Sequence, residues 1–87
     1  MDFKWHELKN QRLKARRGVG FDEMINYPIV ALEGYESDAH RKVVLFDYKG
    51  YIWAAPSVID GETVFLKTLY PSRKYMKKYL RGDYEKI

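Results

Sequence analysis

The sequence contains no cysteine and only two histidines, His6 and His40. Without thiols there is neither a disulfide framework nor a thiolate metal site, and two isolated histidines cannot build a structural zinc site. We therefore expect no metal and no cofactor. The absence of cysteine is also typical of a protein that works in a reducing cytoplasm.

Long hydrophobic runs are missing as well. No apolar run approaches the roughly 18 residues needed to span a bilayer, and the N-terminal stretch MDFKWHELKNQR is charged from its second residue. We expect an intracellular, soluble, cytoplasmic protein that does not interact with a membrane. The sequence also lacks a glycine-rich phosphate loop, a paired-histidine metal motif and a nucleophile elbow, so enzymatic chemistry would use His, Tyr, Lys, Arg and carboxylates.

What is present is typical of one small folded domain, residues 1–87. The chain is 46% apolar, 16% aromatic and 32% charged, which provides enough apolar surface to offset the entropy of folding.

The net charge of +4 is unevenly distributed. Residues 4–17 carry six basic side chains against one acid, residues 67–81 carry six and no acid, and residues 20–40 carry five acids and no base. If the fold brings the two basic segments together, they form one positive face suited to a phosphodiester partner. The alternative is two solvated helix faces.

Three helices are predicted. Residues 6–17 are good helix formers followed by Gly18, and FDEMIN forms a second, short helix capped by Gly20. Ser72 is placed to cap RKYMKKYLR, which Gly82 closes. Residues 29–41 lose periodicity and are predicted to be an irregular connection.

A three-stranded antiparallel meander is predicted from KVVLFDY, YIWAAPSV and ETVFLKTLY, which are separated by Lys-Gly and Asp-Gly turns. Pro56 should produce a bulge or break in the middle strand, or leave its N–H side unpaired. Phe3 and Trp5 can add a short N-terminal strand, and we expect Trp5 and Trp53 in the core. The predicted fold class is α+β, a small twisted antiparallel sheet packed with two N-terminal helices and one C-terminal helix.

One reaction suits these residue types: RNA cleavage by attack of a 2′-hydroxyl on its own 3′-phosphate, which needs positioning, proton transfer and charge neutralisation. Arg73 is the first candidate for stabilising negative charge, and Lys67 should join it if its strand face, shared with Leu69, is solvated. His40, in the predicted loop, is the candidate proton carrier. The alternatives are an exposed arginine, an edge-strand lysine and an ordinary loop histidine.

Further basic and aromatic residues are predicted to bind RNA. Tyr70, Tyr75 and Tyr79 could stack on bases or donate a proton, although tyrosines spaced i, i+4, as Tyr75 and Tyr79 are, more often pack half into the core. The predicted RNA-binding residues are Lys9, Arg12, Arg16, Tyr70, Lys74, Lys77, Lys78 and Arg81.

Two stretches resemble the BrnT-type toxins of bacterial toxin–antitoxin pairs. FKWHELKNQRLKARRGVGFDEM is similar to the family's F-x-W-D-x-x-K-N start, basic helix and G-[IV]-S-F-E-E turn, except that His6 replaces an acid and Gly20 a serine. KTLYPSRKYMKKYL is similar to the family's last strand and its turn into the final helix, with Arg73 and Lys74 on the matching basic positions.

The resemblance implies a RelE/ParE-like fold and a type II toxin: a ribonuclease that blocks translation and is held inactive by a DNA-binding antitoxin. The partners would then be RNA and a cognate antitoxin, with operator DNA contacted only through the antitoxin. A second hypothesis is a non-catalytic member that binds nucleic acid or a protein target such as a topoisomerase.

Overall fold

A computed structural model describes residues 1–35 and 37–81, with the side chains of Leu80 and Arg81 outside the description. The predicted helix stop at Gly82 lies outside the described residues. None of the helices within the described ranges is long and apolar enough to cross a membrane. The elements in chain order are β1 Asp2–Trp5, α1 Glu7–Arg17, α2 Phe21–Met24, β2 Ile29–Tyr35, β3 Asp38–Tyr48, β4 Tyr51–Asp60, β5 Thr63–Leu66, β6 Tyr70–Pro71, α3 Arg73–Tyr75 and a π-helical segment Met76–Arg81.

The two N-terminal helices are confirmed. α1 ends at Gly18, whose φ of 79° lies in the left-handed region that glycine adopts without steric cost. The Lys14 ammonium lies 2.5 Å from the Asp22 carboxylate and ties α1 to α2.

The side chain of Asn10, which belongs to α1, caps the N-terminus of α2. Its buried side-chain oxygen accepts a hydrogen bond of 2.7 Å from the Phe21 N–H, one of the N–H groups that the first turn of a helix leaves without a partner. A Cβ atom added to Gly20 would overlap that oxygen. Glycine stands at this position because Asn10 supplies the cap that a local serine would otherwise provide.

The sheet is larger than predicted. Within residues 1–35 and 37–81 it has six strands: five follow the order β1-β5-β4-β3-β2, and β6 also pairs with β4. The meander β3-β4-β5 is antiparallel as expected, whereas β1 pairs in parallel with β5. The predicted irregular connection over residues 29–41 is wrong, since it contains β2 and the beginning of β3. β2 is the last strand in the sheet order and largely exposed, so its side chains show no clean alternation of apolar and polar residues.

The two faces of the sheet carry separate cores. On the first face, α1 and α2 cover side chains such as Val44, Phe46 and Leu66. On the second face, the smaller core of Val43, Leu45, Ile52 and Ala54 is covered by Tyr70 and the C-terminal helix, the name used here for α3 plus the π-helical segment. Trp5 and Trp53 are half-buried against the first core.

Pro56 lies opposite the C-terminal end of β5 and limits the pairing there. β4 runs through it without interruption, paired to Val43 of β3, so the predicted break in β4 itself is wrong. On its other side the Pro56 carbonyl accepts a hydrogen bond from the Lys67 N–H, 2.9 Å, but proline has no N–H to return. The pairing of β4 with β5 therefore ends at Leu66, and β4 pairs with the same side of the chain again only from Tyr70, in β6.

One extra residue lies in this gap. β4 takes three steps from Ser57 to Ala54, while the paired chain takes four from Leu66 to Tyr70. An inserted residue reverses the alternation of side chains, as in a β-bulge. Lys67 and Leu69 therefore do not share a face, contrary to prediction. Leu69 is buried in the first core, whereas Lys67 and Tyr70 lie on the second face.

The C-terminal helix begins as predicted. The Ser72 side chain accepts a hydrogen bond from the Tyr75 N–H, 3.2 Å, and caps the helix. After one turn the helix becomes π-helical. Glu33 of β2 holds it in place, because its carboxylate lies 2.5 Å from the Lys78 ammonium and accepts a hydrogen bond from the Tyr79 hydroxyl.

Candidate functional site

Two neighbouring pockets open on the second face of the sheet, beside the C-terminal helix. The Lys67 pocket, about 210 Å³, contains Lys67 and Arg41 over Pro56 and Val58. The Arg73 pocket is larger, about 510 Å³. Tyr35 lines both, so the two pockets are parts of one surface. The charged and aromatic side chains that line the Arg73 pocket are Arg73, Lys74, Tyr35, Tyr70 and Tyr75.

This surface is positive. Its two pockets are lined by four cations, Arg41, Lys67, Arg73 and Lys74, and by no carboxylate among the described residues. The Arg41 guanidinium has a nearby partner, the Asp38 carboxylate at 3.4 Å, but both side chains are well exposed and water screens such a pair. The surface is therefore suited to anions.

The bulge opposite Pro56 positions Lys67. Because the inserted residue turns Lys67 and Tyr70 to the same face, the lysine lies in the same surface as Arg73. The Lys67 ammonium lies 4.6 Å from the centroid of the Phe65 ring, a cation–π contact that holds the long side chain over β5.

Ser72 and the sheet position Arg73. The Ser72 N–H donates a 2.9 Å hydrogen bond to the carbonyl of Ile52, and its side chain caps the helix that Arg73 begins. Arg73 and Lys74 are exposed on this anchored turn, and the Lys74 ammonium lies 5.1 Å from the centroid of the Tyr75 ring. A guanidinium presented in this way can bind two phosphate oxygens at once.

Tyrosines supply the remaining polar groups of the Arg73 pocket. Tyr35 is exposed, and Tyr70 and Tyr75 are half-buried. Burial, together with the negative charge of Glu33, raises the pKa of the Tyr75 hydroxyl above its usual value, so this phenol stays protonated and can donate a hydrogen bond. An exposed ring such as Tyr35 offers an aromatic face on which a base can stack.

His40 lies in β3 and not in the predicted loop. Arg41 pairs with Val58 on the second face, so alternation along the strand places His40 on the opposite pleat. It lines neither of the two pockets. The structure does not bring His40 together with Lys67 and Arg73, and its proton-transfer role stays a prediction from the sequence.

The other predicted RNA-binding residues divide into three groups. Lys78 is already paired with Glu33, and this contact raises the pKa of Lys78 and lowers that of Glu33. Lys77 is exposed on the C-terminal helix, and the Arg81 side chain lies outside the described residues. Lys9, Arg12 and Arg16 line a separate groove on α1 together with Arg17 and Thr68, on the first face of the sheet.

The two basic segments therefore lie on opposite faces and do not form one positive face. Sequence reasoning also missed Arg41 and Tyr35 as pocket residues. Both fall in the stretch interpreted as an irregular connection, where no strand register was available to show their direction. The described residues contain no group of three His, Asp or Glu side chains placed to hold a metal ion.

The fold was compared with solved structures. A crystal structure of the ribonuclease toxin BrnT from Brucella abortus matches 85% of this chain and 99% of its own length, with a TM-score of 0.62 and 18% sequence identity. This chain has a BrnT-like fold. The sequence itself matches no family model and no curated protein. The resemblance to BrnT-type toxins is thus confirmed at the level of the fold, and the two positive pockets of this chain lie on the second face of the sheet, beside the C-terminal helix.

Proposed function

We propose that this protein is a ribonuclease toxin of a type II toxin–antitoxin pair and arrests translation by cleaving RNA. The observation that carries the proposal is the group of four cations on the second sheet face of a BrnT-like fold, in pockets that no carboxylate of the described residues lines. A phosphodiester that becomes more negative in the transition state is the substrate such a surface stabilises.

The reaction needs no nucleophile from the protein. The 2′-oxygen of a ribose loses its proton and attacks the adjacent phosphorus while the bond from phosphorus to the 5′-oxygen breaks. The products are a 2′,3′-cyclic phosphate and a 5′-hydroxyl that takes up a proton. Arg73 binds the non-bridging oxygens, and Lys67 and Arg41 add positive charge beside them.

Tyrosine and lysine side chains are available for proton transfer inside the two pockets. The Tyr70 and Tyr75 hydroxyl groups lie on the same face as Arg73, and Tyr35 is positioned to stack on a base. A cognate antitoxin with an acidic segment is expected to cover these pockets. Operator DNA would then be contacted by the antitoxin and not by this chain.

Inducible expression in a bacterium tests the proposal, with growth and total RNA followed for the wild type and for Arg73→Ala. Removal of one group that stabilises transition-state charge typically lowers the rate by about 10²–10³-fold, so the substitution should relieve both arrest and RNA loss. The matched control is Lys49→Asn, which removes a cation from the turn after β3 at a position with a φ of 54°, a conformation that asparagine tolerates. Purified protein that leaves RNA intact in the absence of an antitoxin would contradict the proposal.

A second candidate function is binding without cleavage, to nucleic acid or to a protein target. It is favoured by one observation: neither pocket contains a histidine or a carboxylate, the usual general bases, among the described residues. On this alternative, expression arrests growth while RNA stays intact, and Arg73→Ala and Lys67→Ala change affinity only.

A further inference from the structure

The groove on α1 lies on the opposite side of the sheet from the proposed catalytic pockets. Lys9, Arg12 and Arg16 are spaced i, i+3 and i+7, so they form one stripe along the helix, with Arg17 beside its end. Its volume of about 160 Å³ is below the usual size of a small-molecule site, which is about 300 Å³ or more. The groove can contact one phosphate group of a longer chain, but it is too small to enclose a small-molecule ligand.

Helix stability does not explain this stripe. Arg16 and Arg17 near the C-terminus of α1 are favourable to the helix dipole, but Lys9 sits in the first turn, where a cation is unfavourable. Arg12 and Arg16 repel each other at i, i+4. Helix stability therefore gives no reason for Lys9 or for the pairing of Arg12 with Arg16.

The carboxylates near α1 contact side chains that do not belong to the stripe. Glu7 accepts hydrogen bonds from the side chains of Gln11, at 2.8 Å, and Asn10, while Asp22 pairs with Lys14 on another face of the helix. In residues 1–35 and 37–81, no carboxylate is within ion-pair distance of the stripe. The groove is left with uncompensated positive charge.

The groove and the Lys67 pocket are lined by two adjacent residues at the bulge opposite Pro56. Thr68 closes the groove from the segment that links β5 to β6, and the preceding residue, Lys67, lines the pocket on the other face. The positive side chains of the groove and those of the Lys67 pocket thus lie on either side of one short segment, residues 67–68. A duplex, with a persistence length of about 50 nm, cannot turn around such an edge, but a single strand can.

We infer that the α1 groove is a second phosphate site, which binds the sugar–phosphate backbone of single-stranded RNA continuing around the sheet edge from the Lys67 pocket. The inference rests on the proposed function for the identity of the strand. It places the determinant of RNA length on α1, away from the reacting bond.

The experiment measures binding of 2′-O-methyl RNA, which cannot be cleaved by 2′-hydroxyl attack, so its result does not depend on catalysis. Oligonucleotides of about 4 and about 12 residues are titrated at several salt concentrations. For the longer strand, the double variant Arg12→Ala/Arg16→Ala should bind about tenfold more weakly at low salt, and the slope of log K against log salt should fall by about 1.4. Binding of the shorter strand at the Arg73 pocket should be unchanged.

The controls separate charge loss from misfolding. Alanine is the best helix former, so the double variant should melt no lower than the wild type. Lys42→Ala/Lys49→Asn removes the same charge from residues that line none of the three pockets and should leave the slope unchanged. An unchanged slope in the α1 variant, or equal weakening for both RNA lengths, overturns the inference. Loss of oligoglutamate binding with RNA binding intact also overturns it, in favour of an interface for an acidic protein.

Discussion

The two faces of the sheet differ in how completely they are covered. On the first face, α1 and α2 bury Leu13, Phe21 and Met24 against a continuous apolar core. On the second face, a four-residue core is covered by partly exposed tyrosines and Met76, and the neighbouring surface stays open as two positive pockets. This small chain thus places most of its apolar burial on one side of the sheet and leaves exposed cations beside a thinner core on the other.

The largest expected effect is on the well-covered face. Phe21 is fully buried, so Phe21→Ala should lower the free energy of unfolding by about 3–5 kcal/mol through lost burial and a cavity. Tyr75→Ala on the second face, where the ring is half exposed, should cost clearly less, about 1 kcal/mol. Urea unfolding followed by circular dichroism measures both. Equal losses in the free energy of unfolding would show that the two faces contribute equally to stability.

A smaller effect is expected at the joint between the two helices of the first face. Asn10→Ala leaves the buried Phe21 N–H without its partner and should cost about 1–3 kcal/mol. Gly20→Ser should also destabilise the wild type, because its Cβ overlaps the Asn10 oxygen.

The effects of Asn10→Ala and Gly20→Ser on the free energy of unfolding should not be additive. In Asn10→Ala the overlap with the Asn10 amide is gone, and the remaining close neighbour is the flexible Lys14 side chain, whose Cγ lies 3.0 Å from the added Cβ. A serine at position 20 can then cap α2 itself, which restores about 1 kcal/mol. Thermal unfolding of the four proteins of this cycle measures the coupling. Simple additivity would show that Asn10 does not act as the cap.

The smallest effect concerns the attachment of the C-terminal helix to the second face. Hydrogen bonds from Lys78 and Tyr79 lower the pKa of Glu33, so its contribution to stability is present at neutral pH and is lost as the pH falls through that lowered pKa. Glu33→Gln should be less stable than the wild type at about pH 7, and the difference should shrink towards about pH 3.

Urea unfolding across this pH range measures the Glu33 effect, with Glu62→Gln, an exposed glutamate at the β4–β5 turn, as the control. A constant difference between wild type and Glu33→Gln would show that the carboxylate does not secure the helix through its charge.

Local sequence signals predicted much of the fold. The Gly18 stop, the Ser72 cap and the order of the three meander strands follow from short-range propensities, and the structure confirms all three. β2 could not be read from the sequence, because an exposed edge strand lacks the alternation that identifies one. Its pairing to β3 is a long-range contact that only the folded chain provides.

For the candidate site, the residue types that are available can be read from the linear chain: basic segments near both ends, few histidines, no cysteine, and an arginine directly after a helix cap. Tertiary structure alone decided which of them meet. Pro56 has no N–H to continue the ladder, the resulting one-residue insertion reverses the side-chain alternation, and Lys67 consequently joins Arg73 on the open face. Register between distant strands is set by hydrogen bonds across the sheet, and a linear pattern does not contain it.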